Sequence, residues 1–401
     1  MEKDQSETPG SLNFMEVQQN NIKNLKFQQS ESDFHTIGDN FIVDKKYLYV
    51  GNYYEDSIKA INKENGQKVL IKKIKKQGID QLYLSSVINA IKIENHFQHE
   101  NIDSNLHIIN TSNDLYIVRE LMNTDLKHII VSSQELTDDH IRFITYQILR
   151  GLLYLHSQNI YHHFLTPLMI LINQNCDVKI RNFTYANPRS KQVLNRWYRS
   201  PEINIGFEGV FQKYGKESDI WSVGVIMLEL FTRNPIFSCG DNQEYSEKFI
   251  SILGTPSEED MFFLDKDYKI LPNQSKQFWQ SFFPLANPLL VDLADKMIVF
   301  NPEKRYTAIQ CLKHPYFQDL YIEQEDIPCK EYFDHEQLMN QEEEEKFTQI
   351  EEEISTLAGK SYLKQHKKFQ VYIIQFIAFQ KHLAGFLPLN PRLIFYNLFE
   401  D

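Results

Sequence analysis

Residues 140–157 read HIRFITYQILRGLLYLHS, and at this stretch the sequence changes from strand-like to helical patterning. Apolar residues recur here at spacings of three and four, which places them on one face of a helix. That face comprises Ile141, Ile144, Ile148, Leu149, Leu152 and Leu155. The pattern therefore predicts a long amphipathic helix with a buried face. Similar patterns at 218–233, 287–299 and 306–313 predict a largely helical second half.

The part before residue 135 is typical of β-structure. Short β-prone runs occur at 41–43, 47–50, 57–62 and 68–74. Asn65-Gly66 lies between the last two runs and is a strong hairpin signal. Residues 1–35 are rich in Gln, Asn, Ser and Glu, so we expect a flexible N-terminal extension. The sequence thus predicts an α+β fold, with a small β-rich lobe followed by a large helical lobe.

The spacing of the cysteines and the length of the apolar runs indicate the cellular compartment of the protein. The four cysteines are far apart and form no C-x-x-C pair, which argues against a disulfide framework and a zinc site. The polar start MEKDQSETPG is unlike a secretory signal. The longest uncharged apolar run, 369–380, is too short to span a bilayer. We therefore expect an intracellular protein, cytoplasmic or nuclear, without a transmembrane segment.

The charge is concentrated near the C-terminus. The chain has a net charge of −12, and residues 320–353 hold thirteen acids against two lysines. This balance makes nucleic acid an unlikely partner class. From residue 360 onward basic residues dominate. An acidic segment followed by a basic one is either a contact site or a pair of solvated surfaces, and the pattern alone leaves both open.

Several motifs together resemble the eukaryotic protein kinases, and within them the MAP kinases of the CMGC group. The motifs are HENI (99–102), ELMNTDL (120–126), NRWYRSPE (195–202), SDIWSVG (218–224), ILGTPSEED (252–260), NPEKR (301–305) and HPYF (314–317). The resemblance implies a bilobal protein kinase fold over 36–332. Its parts would be an N-lobe at 36–121, a C-lobe at 122–318 and an acidic docking segment at 319–332. An acidic amphipathic helix at 333–359 and a basic, apolar tail at 360–401 would follow.

The resemblance also places a vestigial ATP pocket. Its residues would be Val50, Gly51, Ile58, Leu70, Lys72, Arg119, Glu120, Met122 and Leu171. Asp56 stands at the third glycine of the family's phosphate-binding loop and would repel phosphates. Leu70 replaces the small alanine that lies over the adenine, and Arg119 occupies the gatekeeper position at the back of the pocket. We therefore expect weak or absent binding of ATP and Mg²⁺, and thus no cofactor.

The lysine of the family's third strand is present as Lys72, but its partner is missing. The helix glutamate that orients this lysine aligns with Ala90. Glu94 lies one turn later and could replace it if the helix were shifted by one turn of about 5.4 Å. The alternative is that Glu94 lies where the family has a spine leucine.

The segment YHHFLTPLMIL (161–171) resembles the family's catalytic loop with its polar groups replaced. Phe164 stands at the position of the aspartate base and Thr166 at that of the phosphate lysine. Met169 and Asn182 stand at the two metal-ligand positions, so no metal site is predicted. The expectation is a pseudokinase, catalytically inactive and acting as a signalling scaffold or docking module. The alternative is a weakly active or unconventional ATP-binding serine/threonine kinase that uses Lys72.

Other family positions are kept. Glu202 and Arg305 match an ion pair that supports the large lobe, and Asp219 matches the residue that braces the catalytic loop. Glu323 and Asp326 resemble an acidic docking site for protein partners with basic motifs; the alternative is a solvated acidic run. The tail run at 371–374 could pack on the domain, bind a partner or touch a membrane. The sequence predicts no particular oligomeric state.

Overall fold

The computed structural model of the chain describes residues 34–37, 41–54, 56–76, 81–111, 113–186, 196–204, 215–240, 242–257, 259–261, 274–323, 329, 332–334 and 356. The predictions for residues 1–33, for Asp326, for almost all of the amphipathic helix at 333–359 and for the tail at 360–401 lie outside these ranges. Strand β1 begins at Phe34, inside the predicted extension, because it pairs antiparallel with β2.

The strands form three antiparallel sheets. They are β1 (Phe34–Ile37), β2 (Phe41–Asp44), β3 (Tyr47–Tyr54), β4 (Ser57–Asn62), β5 (Lys68–Lys75), β6 (Asn105–Asn110), β7 (Asp114–Glu120), β8 (Thr124–Asp125), β9 (Ile170–Ile172) and β10 (Val178–Ile180). The four predicted β-prone runs correspond to β2 through β5. Those four predictions are confirmed.

The helices follow mainly after residue 125. They are α1 (Gln81–His96), α2 (Leu126–Val131), α3 (Asp138–His156), α4 (Pro201–Asn204), α5 (Lys216–Thr232), α6 (Asn242–Leu253), α7 (Trp279–Phe282), α8 (Pro288–Met297) and α9 (Ala308–Leu312). Single 3₁₀ turns occupy 167–169, 183–185, 196–198, 259–261, 302–304 and 315–317. No helix within the described ranges is both long and apolar enough to cross a bilayer.

The small lobe is a five-stranded sheet in the order β3-β4-β5-β7-β6. The predicted hairpin between β4 and β5 is present, and Gly66 adopts a φ of 70°, which glycine tolerates at no steric cost. Helix α1 covers one face of this sheet through an apolar cluster. The cluster comprises Ile74, Leu84, Val87, Ile88, Ile91, Ile108, Leu115 and Ile117. Burial of this face fixes α1 beside the strand that carries Lys72.

The large lobe is built around α3, α5 and α8, whose apolar residues belong to one core. Thr137 caps α3 in a capping box with His140. A Cβ on Gly224 would lie 2.8 Å from Ile298, so this glycine allows α5 to approach the end of α8 closely. The predicted α+β arrangement, a β-rich small lobe followed by a helical large lobe, is confirmed.

Main-chain contacts connect the two lobes behind the cleft. The N–H of Asp103, after α1, donates to the carbonyl of Ile180 at 2.8 Å, and the N–H of Ile180 donates to the carbonyl of Asn101 at 2.9 Å. Strand β10 thus joins the loop after α1 to the three-stranded sheet β10-β9-β8. The catalytic-loop segment leads into this sheet and is therefore held next to the small lobe.

Candidate active site

Asp219, in the first turn of α5, holds the loop at 162–163 by its main chain. Its two carboxylate oxygens accept hydrogen bonds from the N–H groups of His162 and His163, both at 2.8 Å. The imidazole of His156 lies 2.9 Å from the same carboxylate. Burial opposes the charge, but the hydrogen bond from His156 and the neighbouring imidazoles lower the pKa of Asp219. The carboxylate is therefore a charged anchor for a loop in which His163 adopts a φ of 58°.

His162 is a neutral side chain in the core of this site. Its Nε2 lies 2.9 Å from the carbonyl oxygen of Arg181, and its Nδ1 lies 3.3 Å from the N–H of Phe164. A carbonyl can only accept, so Nε2 carries the proton and Nδ1 accepts. Burial lowers the pKa of His162. The ring also packs against Phe183, with centroids 5.3 Å apart.

The structure brings Met169 and Asn182, the two residues at the predicted metal positions, into contact. Asn182 donates from Nδ2 to the Met169 sulfur at 3.4 Å and accepts from the Thr184 hydroxyl at 2.6 Å. Both polar atoms of the amide are thus engaged by protein groups. Mg²⁺ prefers several oxygen ligands, including carboxylates. A thioether and an amide whose two polar atoms are both hydrogen-bonded do not suit this cation.

The remaining positions of the loop differ in exposure. Phe164 is half-buried, while Thr166 is buried. Neither side chain supplies the carboxylate or the ammonium group that the family has there. Within the described part of the chain, no group of three or more His, Cys, Asp or Glu side chains is placed to hold a metal ion.

Lys72 remains accessible in the cleft. Its side chain is 42% exposed, and its ammonium group lies 3.8 Å from the carboxylate of Asp56. Such an exposed ion pair is weak. A phosphate group could replace Asp56 as the partner of Lys72, so this residue fits a nucleotide.

The other predicted pocket residues lie on β3, β4, β5, β7 and β9, except Met122, which follows β7. Ile58 and Met122 are buried, Leu70, Glu120 and Leu171 are half-buried, and Val50 is exposed. Gly51 has open space where a Cβ would lie. Glu120, at the end of β7, lies 3.5 Å from Lys179 on β10. This ion pair connects β7 of the small lobe to β10.

Arg119 and Glu94 form a buried ion pair behind the cleft. The guanidinium Nη2 lies 2.7 Å from the Glu94 carboxylate, and Nη1 lies 3.2 Å from Asp103. Its Nε donates to the side-chain oxygen of Asn105 at 3.1 Å. Burial raises the pKa of Glu94 to about 7, although Arg119 opposes this shift. Burial also raises the pKa of Asp103.

This arrangement answers two questions that the sequence left open. Glu94 does not replace the missing partner of Lys72, because its carboxylate is bound to Arg119. The expectation that Arg119 impairs the ATP pocket also changes, since its guanidinium is bound to α1 and the loop after it. The sequence analysis missed Asp103 and Asn105, although both directly follow the HENI motif and could have been recognised as polar residues next to a buried strand.

Arg305 and Glu202 are joined by two hydrogen bonds. The two terminal nitrogens of Arg305 donate to the two carboxylate oxygens of Glu202, both at 2.6 Å. The same guanidinium donates to the carbonyls of Val299 and Phe300. It also lies 5.1 Å from the ring of Trp221. Glu202, before α5, is thereby tied to the segment after α8.

Glu323 is the described member of the predicted docking pair. Its carboxylate lies 3.6 Å from Lys313. The side chain is 74% exposed, so the carboxylate faces solvent.

Comparisons with known proteins give the family. A family model described as "Protein kinase domain" matches residues 51–317. Mitogen-activated protein kinase 1 of Oryza sativa subsp. japonica is 36% identical, over 78% of this chain and 83% of the relative. Mitogen-activated protein kinase homolog NTF6 of Nicotiana tabacum is 38% identical over 75% and 86%. Mitogen-activated protein kinase 6 of Arabidopsis thaliana is 38% identical over 67% and 71%.

These findings correct two expectations. The relatives are named as protein kinases, a class of enzymes that transfers a phosphoryl group from ATP with the help of Mg²⁺. The predictions that the chain is not an enzyme and uses no cofactor are therefore wrong. They had been inferred from single positions such as Phe164 and Asn182, whereas the similarity extends over most of the chain. The chain belongs to the protein kinase family and, within it, to the mitogen-activated protein kinases.

Proposed function

We propose that the chain is an intracellular, unconventional protein serine/threonine kinase of low activity, in which Lys72 binds the phosphates of ATP. The observation that carries the proposal is the solvent exposure of the Lys72 side chain. It lies on β5, is 42% exposed, and is 3.8 Å from the exposed carboxylate of Asp56. The carboxylate of Glu94 is bound to Arg119, so the described partner of Lys72 is the exposed Asp56, which a phosphate group can replace.

The neighbouring side chains suit this role. Ile58, Leu70 and Leu171 offer apolar surface for a base, and ATP would supply the phosphoryl group. The loop held by Asp219 would position a substrate hydroxyl next to Phe164. Because residue 164 has no carboxylate, the chain lacks a general base there, and such a base contributes roughly 10²–10⁴ in rate. Because Thr166 also lacks the ammonium group of the family's phosphate lysine, we expect a rate lower by at least that factor than that of a kinase with the aspartate.

A labelled-phosphate transfer assay with a generic serine/threonine substrate tests the proposal. We expect slow incorporation by the purified chain, loss of that incorporation in Lys72→Ala, and retention in Lys75→Ala. Lys75 is the matched control because it lies on the same strand and is exposed. Incorporation that is the same in Lys72→Ala as in the unchanged protein would indicate a contaminating kinase and would contradict the proposal. So would the complete lack of incorporation by the unchanged protein.

A second function, docking of protein partners, is favoured by the exposure of Glu323. An accessible carboxylate followed by further acids at 325–326 suits a basic linear motif next to an apolar pair. Exposed ion pairs contribute only about 0.2–1 kcal/mol each. We therefore expect modest affinity that weakens as salt screens the charges.

Peptide binding measured by fluorescence anisotropy tests the docking function. A peptide with two or three basic residues and an apolar pair should bind more weakly to the Glu323→Lys/Asp326→Lys variant. Glu64→Lys, in the exposed turn of the small lobe, is the control and should leave binding unchanged. Equal binding to the double variant and the unchanged chain would show that the acids are only solvated.

A further inference from the structure

Four large apolar side chains are exposed close together in sequence around the turn between α7 and α8. They are Phe278, Phe282, Leu285 and Leu289, called here the α7–α8 patch. Phe278 is 76% exposed and Leu285 is 93% exposed. Residues 277–289 contain no charged side chain. Apolar surface of this density usually marks an interaction site.

The turn that carries the patch is held in place. The side-chain amide of Gln280 donates to the carbonyl of Phe283 at 3.0 Å. Asn287 accepts from the N–H of Leu289 at 3.0 Å, and it donates to the Asp138 carboxylate at 2.8 Å. Trp279 and Phe283 stack beneath the turn with centroids 6.0 Å apart. These contacts fix the conformation of the turn, so the patch is a defined surface for binding.

Acidic groups lie next to the patch. Asp138 and Asp139 begin α3, which contacts the start of α8 through Asn287. Asp292 is half-exposed and follows Leu289 by one helical turn. Arg142 already pairs with Asp139, and Lys296 and His314 with Asp292. An apolar segment with basic residues at its ends would share these acids, and its main attraction to the patch would be apolar contact.

The chain itself contains such a segment. Residues 369–380 read FQVYIIQFIAFQ, with Lys364, Lys367 and Lys368 before them and Lys381 after them. The linker from Asp334 to Phe369 can span about 115 Å when extended, at roughly 3.3 Å per residue. A domain of this size is about 50 Å across. The segment can therefore reach the patch, and the tether keeps its local concentration high.

We propose that residues 369–380 pack on the α7–α8 patch of the same chain. The apolar side chains of the segment meet Phe278, Phe282, Leu285 and Leu289, and its flanking lysines lie near the acids of α3 and α8.

Hydrogen exchange on the full-length protein tests the proposal. In the Phe278→Asp/Leu285→Asp variant, amide exchange in 369–380 should become faster by about tenfold or more, because the segment loses its apolar contacts. Both changed residues are strongly exposed, so the domain should remain folded. Val131→Asp is the control, since Val131 is an exposed apolar residue at the end of α2. Equal exchange of 369–380 in the double variant and the unchanged chain would overturn the proposal.

A photo-crosslinking residue at position 285 gives an independent measurement. We expect crosslinks to 369–380 within one chain, with a yield that does not depend on protein concentration. Crosslinks between chains whose yield rises with concentration would assign the patch to a second copy and would overturn the proposal. Protection of 369–380 that requires lipid vesicles would overturn it as well.

Discussion

The guanidinium of Arg119 lies 2.7 Å from the carboxylate of Glu94, and this contact connects β7 to α1 behind the cleft. Asp103 is a second buried carboxylate on the same cation. One positive charge therefore serves two acids in the interior, which explains why the pKa of Glu94 is raised to about 7 by burial in spite of Arg119.

Replacing the cation should destabilise the fold strongly. In Arg119→Met the two carboxylates lose their partner, and breaking a buried pair from one side costs about 3–5 kcal/mol. Urea denaturation at pH 7.5 measures this loss in the free energy of unfolding. In Glu94→Leu/Asp103→Asn/Arg119→Met no charge remains, so we expect recovery of about half of the loss or more. A triple variant less stable than Arg119→Met would contradict this account.

The raised pKa of Glu94 predicts a pH dependence of stability. Between the ordinary value of 4.5 and about 7, the folded state binds more protons than the unfolded state. The contribution of Glu94 to stability should therefore fall as the pH rises through this window, whereas buried histidines with lowered pKa values contribute in the opposite direction. Denaturation at pH 5.0 and pH 7.5 should show a smaller fall in Glu94→Gln than in the unchanged chain. Buried histidines with lowered pKa values contribute equally to both proteins and cancel in the comparison.

Glu100→Gln is the control for this measurement. Glu100 lies near Glu94 in the sequence but is exposed and bound to Arg150. Its variant should keep the pH dependence of the unchanged chain. The same dependence in Glu94→Gln would show that this carboxyl does not titrate in the window.

The contact between Arg305 and Glu202 predicts that lysine cannot replace arginine at position 305 without a loss of stability. A lysine cannot make two parallel hydrogen bonds to a carboxylate, and it cannot reach the carbonyls of Val299 and Phe300 at the same time. We expect Arg305→Lys to lose about 2–4 kcal/mol of stability, within the range for broken buried pairs. Thermal unfolding measures the loss. Lys304→Ala, at the exposed neighbouring residue, is the control and should change stability little. A similar loss in both variants would show that the two parallel hydrogen bonds from Arg305 to Glu202 are not the cause.

Neutralising Asp219 should loosen the loop at 162–163. An asparagine has one acceptor oxygen, so its amide group would face an N–H donor, and an unsatisfied buried group costs about 1–3 kcal/mol. Hydrogen exchange of the amides of His162 and His163 should become faster in Asp219→Asn than in Asp139→Asn, where the changed carboxylate is exposed. Unchanged protection at these two amides would contradict the anchoring role.

The fold could be predicted from the sequence because periodicity reports burial directly. The pattern at 140–157 predicts α3 nearly to the residue, since its apolar face is buried against the core. The pattern at 306–313 differs from α9 by the same two residues at the start and one at the end, and there the capping box of Thr307 and Gln310 begins the helix at Ala308. Patterns of apolar residues carry no information on such caps.

The site was predicted less completely than the fold. Motif spacing located Lys72, Phe164 and Asn182, but it could not show which acid pairs with which base. Glu94 and Arg119 are separated by 25 residues and meet only because α1 packs on the sheet. The failure to predict enzyme class has the same origin, since residues were considered one at a time and their surroundings were not known.

The anchoring of the loop by Asp219 also bears on comparisons between related chains. Every residue except proline provides a main-chain N–H, so the bonds from His162 and His163 do not depend on their side chains. Over evolutionary time the residues of this loop can be exchanged while its course through space is inherited unchanged. The path of the loop therefore does not by itself identify the reaction, which must be established from the side chains that the loop carries.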